Sequence, residues 1–498
     1  MEQPSGPGRF ALDFTELGRG APGAPAICHS ARRPLDYRDA RQLVARARGL
    51  LDWPAKALVA VTAPRTLPGL LGYLAALAAG HAVVLVEEKN ATTWPALLAA
   101  YQPDLLVTAP GDDPGADACG FRPRAGGPIS VWHRASPPAN PPLHPELALI
   151  MRTSGTLGTP KTVRLSYENL RANALAIADA LRLSRGDRCV TSLPLDFCYG
   201  LSLLNSHLAA GGSVALCAFS PSSEQFWQYV DEVAATCIGA VPSTYRWMRS
   251  TRWDPRPHRS LRRLLHSGGP LDEAALVHFD TLMSEVGGEF ISMYGQTEAT
   301  ARIACLPAEL AAAHRGSVGL PIPGGRVRIE RPDGGPAADG EVGEIIYCGP
   351  NVMMGYAATR VDLAKGRQQG PALHTGDFGC LRDGFLYVMG RADRQVKVFG
   401  RRIDLEQAEK LLQARGITAA VEALSDERMV VASELTADQL TGECRFLAAA
   451  LNLPSASLCP WQLDAMPYTN RGKIDHAAVR VVMAGAIKTG ASSTQEPQ

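Results

Sequence analysis

The chain of 498 residues carries no surplus of charge of either sign: 50 Lys and Arg against 49 Asp and Glu leave a formal net charge of +1. Nucleic acid or an anionic membrane surface would favour a basic surplus, so neither is expected as the main partner. Paired cysteines are also missing. The 11 cysteines are scattered from Cys28 to Cys459 without a CxxC pair, which removes metal-site spacing and the dense framework of a small secreted domain. A reduced, cytoplasmic setting is expected. The opening MEQPSGPGRF lacks a basic region followed by an apolar core, so no signal peptide is read there. An uncharged run, residues 67–86, has the length of a bilayer span. Its content argues otherwise: Pro68 and Gly69 open an Ala/Leu stretch suited to a helix, Gly80 ends it, and residues 82–86 form a β-branched strand run. No membrane span is expected. What is present is ordinary for a globular protein, with 46% hydrophobic and 20% charged residues, in a chain long enough for about two to four domains.

Helix followed by buried strand is the repeating unit of an α/β fold. Residues 59–62, 82–86 and 105–108 read as short buried strands separated by helical stretches, which predicts a parallel sheet. Residues 109–145 are rich in Pro and Gly and read as surface connections between subdomains. A second alternating stretch runs from 147 to about 298, with strands at 189–192, 213–217, 237–240 and 261–267. Beyond Gly316, Gly- and Pro-punctuated strands at 325–330, 343–348 and 385–388 suggest a barrel-like β unit. A small α+β piece follows, with an amphipathic helix at 405–412 and a small, polar tail from 486.

Several segments carry chemistry. In IMRTSGTLGTPKTV an apolar strand enters a loop of hydroxyls and glycines that closes on Lys161. Gly155 and Gly158 permit close backbone approach to an anion, while Thr153, Ser154, Thr156 and Thr159 offer hydroxyl donors. These suit a polyphosphate; a plain surface turn of the same composition is the alternative. The loop is not a Walker A motif, because Pro160 stands where that motif needs glycine, and Pro160 keeps Thr159 out of helical geometry. In LHSGGPL, Gly268, Gly269 and Pro270 follow a strand, where missing side chains leave room for a flat ring. In MYGQTEATAR, Tyr294 offers a ring, Thr297 a hydroxyl and Glu298 a carboxylate. Thr297 and Glu298 also fit a capped helix start. Asp383-Gly384 is a hairpin signal.

TSGTLGTPK resembles the signature loop of the adenylate-forming superfamily: acyl-CoA synthetases, AMP–acid ligases, adenylation domains of nonribosomal peptide synthetases, and luciferases. Leu157 and Thr162 depart from its usual pattern. LHSGGPL, the Tyr294–Gly295–Gln296–Thr297–Glu298 run, HTGDFG, GRAD, QVKVFGRR and MPYTNRGKID then resemble that family's further motifs in its order. The resemblance implies a large N-terminal domain of two parallel-sheet α/β subdomains plus a barrel-like subdomain (1–392), a small mobile α+β lid (393–485) and a flexible tail (486–498). It implies that Asp377 binds the ribose hydroxyls, that Arg391 contacts the nucleotide, and that Asp393 is the hinge. Lys397, Gly400 and Arg402 serve the second half-reaction, and Lys473 becomes the main catalytic residue beside Glu298 and Thr297. ATP and Mg²⁺ are implied, with coenzyme A or a carrier-protein phosphopantetheine accepting a small carboxylic acid. Alternatives are loading of a separate carrier protein, another nucleophile, a non-carboxylate acid such as nitrite, or a non-catalytic nucleotide-binding protein. In PLDFCYG the histidine common in acyl-CoA synthetases is absent, and Phe197, Tyr199, Val241 and Ser243, with Pro242 and Tyr245, are candidate walls of the acid pocket, with plain core as the equal alternative for most of them.

Overall fold

The computed structural model describes residues 12, 14–29, 34–87, 93–113, 120–135, 141–153, 162–391, 394–398, 401–424, 428–469 and 472–488. Strand Leu58–Thr62, buried at all five positions, lies parallel between Ala82–Val86 and Leu105–Thr108. It is buried on both faces, which is why its sequence is a continuous apolar run without alternation. The uncharged segment divides as its residues dictate. Thr66 caps helix Leu67–Ala78 by accepting from the Gly69 amide at 3.2 Å, Gly80 ends it at φ +82°, and strand Ala82–Val86 returns. Among the described residues no helix is long and apolar enough to cross a membrane.

Eight strands make this first sheet, from Gly355–Ala357 through Thr162–Ser166 and Leu147–Arg152 to an outer hairpin of Ser130–Arg134 and Phe121–Gly126. That hairpin corrects the reading of residues 109–145 as mere connection. Arg122, Pro123 and Arg124 are exposed, so the strand shows no apolar alternation, and Pro123 sits at a register shift on the sheet's edge, where a missing donor is tolerated.

A second sheet of nine strands has a parallel centre: Glu289–Tyr294, Arg263–His266, Cys237–Ala240, Arg188–Val190, Ser213–Ala215 and Pro25–Cys28. One continuous core joins both sheets through helices Tyr37–Leu50, Leu67–Ala78, Tyr167–Ala180 and Cys198–Ala209. All twelve residues of Cys198–Ala209 are buried, as expected of a helix enclosed between two sheets. Arg326–Glu330, Gly343–Cys348, Ala372–Arg382 and Phe385–Arg391 form a four-stranded antiparallel sheet. Its last turn is the Asp383-Gly384 hairpin, with φ of +51° and +81°.

After residue 394 come the hairpin Gln395–Val398 and Arg401–Asp404, helix Leu405–Gln413, and the three-stranded sheet Ala420–Ala423, Met429–Ser433 and Leu458–Gln462. Helices Ala437–Ala450 and His476–Lys488 accompany them, around cores separate from those of the large sheets. The last helix takes in residues 486–488 of the polar tail.

Candidate active site

Parallel strands end along one edge, and that edge of the nine-stranded sheet gathers the motifs. Strand Cys237–Ala240 ends at Val241 and Pro242, Arg263–His266 at Gly268 and Gly269, and Glu289–Tyr294 at Gly295. Gly268 has φ +89°, and a Cβ there would lie 3.1 Å from Val241 Cγ1 and 3.7 Å from Phe197 Cζ. At Gly269 a Cβ would meet Pro242 Cγ at 3.2 Å. Bare backbone therefore faces Phe197, Val241 and Pro242, and Pro270 follows at the surface. Phe197 meets the Tyr199 ring edge-on at 6.1 Å between centroids. Tyr199 in turn donates to the Leu265 carbonyl at 2.7 Å. Four candidate walls, Phe197, Tyr199, Val241 and Ser243, thus belong to one patch. Tyr245 does not: it is fully buried among His266, Phe279 and Phe290 in the core on the other side.

The next loop is tight by necessity. A Cβ at Gly295 would stand 1.7 Å from the Ala301 carbonyl oxygen. Gln296 Nε2 donates to the Thr375 carbonyl at 3.4 Å. Thr297 opens a single 3₁₀ turn, Thr297–Ala299, whose N-cap residue is Gln296. The capping reading of Thr297 is corrected here, because its hydroxyl donates to Cys198 Sγ at 3.4 Å. Glu298 accepts from the Tyr356 hydroxyl at 3.0 Å, and its carbonyl accepts the Met353 amide at 2.9 Å. Thr300 then takes φ +63°, ψ −38°, a costly region for a β-branched residue. Asn351 holds the turn: its Nδ2 donates to the carbonyls of Ala299 at 2.8 Å and Arg302 at 2.9 Å, and its own carbonyl accepts the Thr300 hydroxyl at 2.6 Å.

Tyr294 donates its hydroxyl to Asp377 Oδ2. Asp377 and Arg391 are register partners across the strands Ala372–Arg382 and Phe385–Arg391, so two residues fourteen apart in sequence are neighbours on one sheet. Thr153 directly follows strand Leu147–Arg152, and strand Thr162–Ser166 returns antiparallel to it. Ser154, Gly155, Thr156, Thr159 and Lys161 lie outside the described residues, as do Asp393 and Gly400.

The small domain reaches the same edge. Gly472 has φ +71°, and a Cβ there would lie 2.2 Å from Ser243 Oγ and 3.3 Å from Val241 Cγ2. The turn is closed by Thr469, whose amide donates to the Lys473 carbonyl at 2.8 Å and whose hydroxyl accepts the Lys473 amide at 3.3 Å. Lys473, exposed, is thereby delivered to the wall formed by Val241 and Ser243. Lys397 and Arg402 are register partners in their hairpin, which anchors in the small-domain core through Val398 and Ile403.

Glu298 offers one carboxylate to a cation, and among the described residues no group of three His, Cys, Asp or Glu could hold a metal alone. A single carboxylate fits Mg²⁺, which commonly takes one or two carboxylates and completes its shell with substrate phosphates and water. Sequence reasoning missed one residue of this loop. Arg302 is 1% exposed, with its guanidinium carbon 4.9 Å over the Tyr199 ring; a cation so close to a run of motifs was the available signal.

Residues 14–357 match the AMP-binding enzyme family. A sulfoacetate–CoA ligase of Cupriavidus necator is 33% identical over 59% of this chain and 57% of its own length. A 2-succinylbenzoate–CoA ligase of Bacillus velezensis is 31% identical over 66% of this chain and 67% of its own. In fold, the chain is similar to O-succinylbenzoate coenzyme A synthetase of Bacillus subtilis solved with ATP and magnesium ion: TM-score 0.74, 23% identity, covering 94% of this chain and 99% of that one. The family match spans more than half of the chain, and the chain belongs to the AMP-binding enzymes.

Proposed function

We propose that the protein is an AMP-forming acid–thiol ligase that converts a small carboxylic acid and ATP to an acyl-adenylate and passes the acyl group to coenzyme A. The observation that carries this reading is the seating of the Gly472 turn on Val241 and Ser243, which brings a lysine to the mouth of a pocket bordered by bare backbone at Gly268 and Gly269. In the first step the acid's carboxylate oxygen attacks the α-phosphorus of ATP, the bond to the β-phosphate oxygen breaks, and pyrophosphate leaves. Two anions must meet, so the barrier falls only if positive charge waits where negative charge builds. Lys473 lies between carboxylate and α-phosphate. Thr297 presents its hydroxyl there, and the 153–161 loop, with Lys161, surrounds the departing phosphates. Glu298 would hold Mg²⁺, which would supply charge neutralisation at the phosphates.

Tyr294 packs beside adenine along Gly268, Gly269 and Pro270, and Asp377 with Arg391 holds the ribose. The Tyr294 bond to Asp377 fixes that carboxylate before nucleotide arrives. In the second step a thiolate attacks the acyl carbon and AMP leaves. The small domain, residues 393–485, turns about Asp393 to replace Lys473 with Lys397, Gly400 and Arg402. The chemistry runs in the cytoplasm, and the relatives named above support coenzyme A over a carrier protein as acceptor. Their acids, sulfoacetate and 2-succinylbenzoate, differ in carbon skeleton, though each carries a second anionic group. An acid-dependent pyrophosphate-exchange screen followed by acceptor loading tests the proposal. Exchange with thioester formed on coenzyme A is expected; thioester formed only on a carrier protein, or no exchange with any acid, would overturn it.

A further inference from the structure

Among the described residues, Arg302 is set apart from the other buried arginines by what it lacks. Arg164, fully buried, donates to the Tyr356 carbonyl at 3.2 Å, to Gln368 Oε1 at 2.7 Å, and to the carbonyls of Lys365 and Gly366. Arg360 pairs with Asp104 at 2.8 Å. Arg394 pairs with Glu409 and Glu422. Nε and Nη2 of Arg302 have no hydrogen-bond partner among the described residues. The groups that act on its charge are the Tyr199 ring and the thiols of Cys305 and Cys198, with no carboxylate among them. Burial pulls its guanidinium below the usual arginine range. A buried cation with unmet donors is costly, and folded proteins keep such groups only when something compensates them.

Its position shows what the compensation is for. The strained turn at Thr300 and the Asn351 clamp reverse the chain directly after Glu298, so Arg302 is carried back beneath the site. A continuous series of contacts leads inward: the Gly472 turn on Val241 and Ser243, Val241 and Phe197 against Gly268, Phe197 on Tyr199, and Tyr199 under the Arg302 guanidinium. Lys473 stands at the outer end of that line and Arg302 at the inner end. Beside Tyr199, a Cβ at Gly239 would lie 2.2 Å from Leu203 Cδ1 and 3.1 Å from the Tyr199 hydroxyl, so the packing there leaves no room for a side chain. An acid entering carboxylate-outward, toward the nucleotide, directs its far end at the guanidinium.

We infer that Arg302 binds a second anionic group at the inner end of the acid pocket, so that the acid activated here is a dianion: a carboxylate that reacts, and a distal carboxylate or sulfonate that is held. The inference rests on the adenylation reading and names its substrate class. Two adjacent donors on one planar guanidinium suit the bidentate geometry of either anion. A neutral tail would leave the buried cation unmet, so the site rejects it, as sites built to hydrogen-bond a substrate group reject analogues that lack it.

The test compares wild type, Arg302→Met and Arg302→Lys in pyrophosphate exchange. The acids are malonate, succinate, glutarate, adipate and 3-sulfopropanoate, set against propanoate, butanoate, pentanoate and hexanoate. In parallel, the thermal shift of each protein with AMP is measured on adding each acid. Wild type should prefer one length of dianion over its neutral-tailed counterpart. Arg302→Met should lose about 10²–10³-fold in kcat/KM for that dianion, chiefly through KM, while gaining relative activity on neutral-tailed acids. Lysine should restore part of the dianion preference and the dianion-dependent thermal shift. The sulfonate arm decides between the two anion types. An unchanged dianion-to-monoanion ratio in Arg302→Met, or a wild-type preference for neutral tails, overturns the inference while leaving adenylation standing. If no acid supports exchange, adenylation has failed, and a dianion shift present in wild type but lost in Arg302→Met still upholds the subsite. Absence of that shift overturns it as well.

Discussion

Arg302 in the large domain and Arg394 in the small one are both almost completely buried, at 1% and 8% exposure, and the chain treats them in opposite ways. Arg394 donates to Glu409 and, at 3.1 Å, to Glu422. Glu422 also receives His476 at 2.8 Å and Arg480 at 3.0 Å. Burial alone would lower the pKa of Arg394, yet Glu409 and Glu422 hold it above the ordinary value. Arg302 has burial and no carboxylate, and its pKa moves down. A cation answered by its own chain is a fastener; a cation left unanswered is a receptor. The network beside the proposed hinge ties residue 394 to helix Leu405–Gln413, strand Ala420–Ala423 and helix His476–Lys488 at once, so the small domain begins rigidly at its first described residue.

The comparison breaks or sharpens by mutation. Glu422→Gln leaves Arg394 and Arg480 short of charge in a buried network and should cost about 3–5 kcal/mol of small-domain stability, read as an earlier transition in denaturant unfolding. A loss below 1 kcal/mol would show that the network is no fastener. Lys473→Ala should lower pyrophosphate exchange by about 10²–10³-fold, as expected for a lost transition-state charge contact. Its thermal midpoint should hold, because the side chain is exposed; exchange at wild-type speed would remove Lys473 from the reaction.

Histidines solve the burial problem a third way, by staying neutral. Burial lowers the pKa of His207 and of His266 to about 4. For His266 the Gly269 backbone raises the value and Arg302 lowers it, both by less than burial does. Between the unfolded value near 6.5 and a folded value near 4, the unfolded chain binds a proton that the folded chain refuses. Stability is therefore full above about pH 6.5 and falls as the pH drops toward 4, by about 3 kcal/mol for each histidine. His207→Gln should flatten that slope by about half, and an unaltered profile between pH 4 and 6.5 would exclude His207 as a contributor. The smallest effect runs opposite in sign to the first. Without ligand, Arg302→Met removes an unanswered charge and should raise stability by about 1–2 kcal/mol, measured by the same unfolding transition. A destabilisation comparable to that of Glu422→Gln would make Arg302 structural.

Much of this was legible in the residues. The positive-φ pair Asp383-Gly384, the strand Ala82–Val86 and the helix beginning at Leu405 follow from turn chemistry and apolar runs. The edge hairpin Phe121–Gly126 and Ser130–Arg134 was not, because an exposed edge strand bearing Pro123 has the composition of a loop. Thr297 looked like a cap because the run Gln-Thr-Glu-Ala fits one; Cys198, ninety-nine positions away, took its hydroxyl instead. Tyr245 passed for a pocket wall because helix Pro242–Ser250 starts in the pocket, and only its facing shows that the ring points into the core. Arg302 stood in plain view within MYGQTEATAR. What gives it meaning is that Nε and Nη2 have no hydrogen-bond partner among the described residues, and an absence of that kind exists only in three dimensions.

Asn351 has a consequence for how such a pocket can change. Its amide grips the carbonyls of Ala299 and Arg302, atoms that every amino acid possesses. The loop's path, and with it the placement of Glu298, is therefore indifferent to which side chain residue 302 carries. Position 302 is a socket: an arginine can be exchanged for a shorter, longer or neutral plug and the metal-binding end of the same loop stays where it was. Selectivity at the pocket's inner end and reactivity at its mouth can drift independently along one stretch of chain.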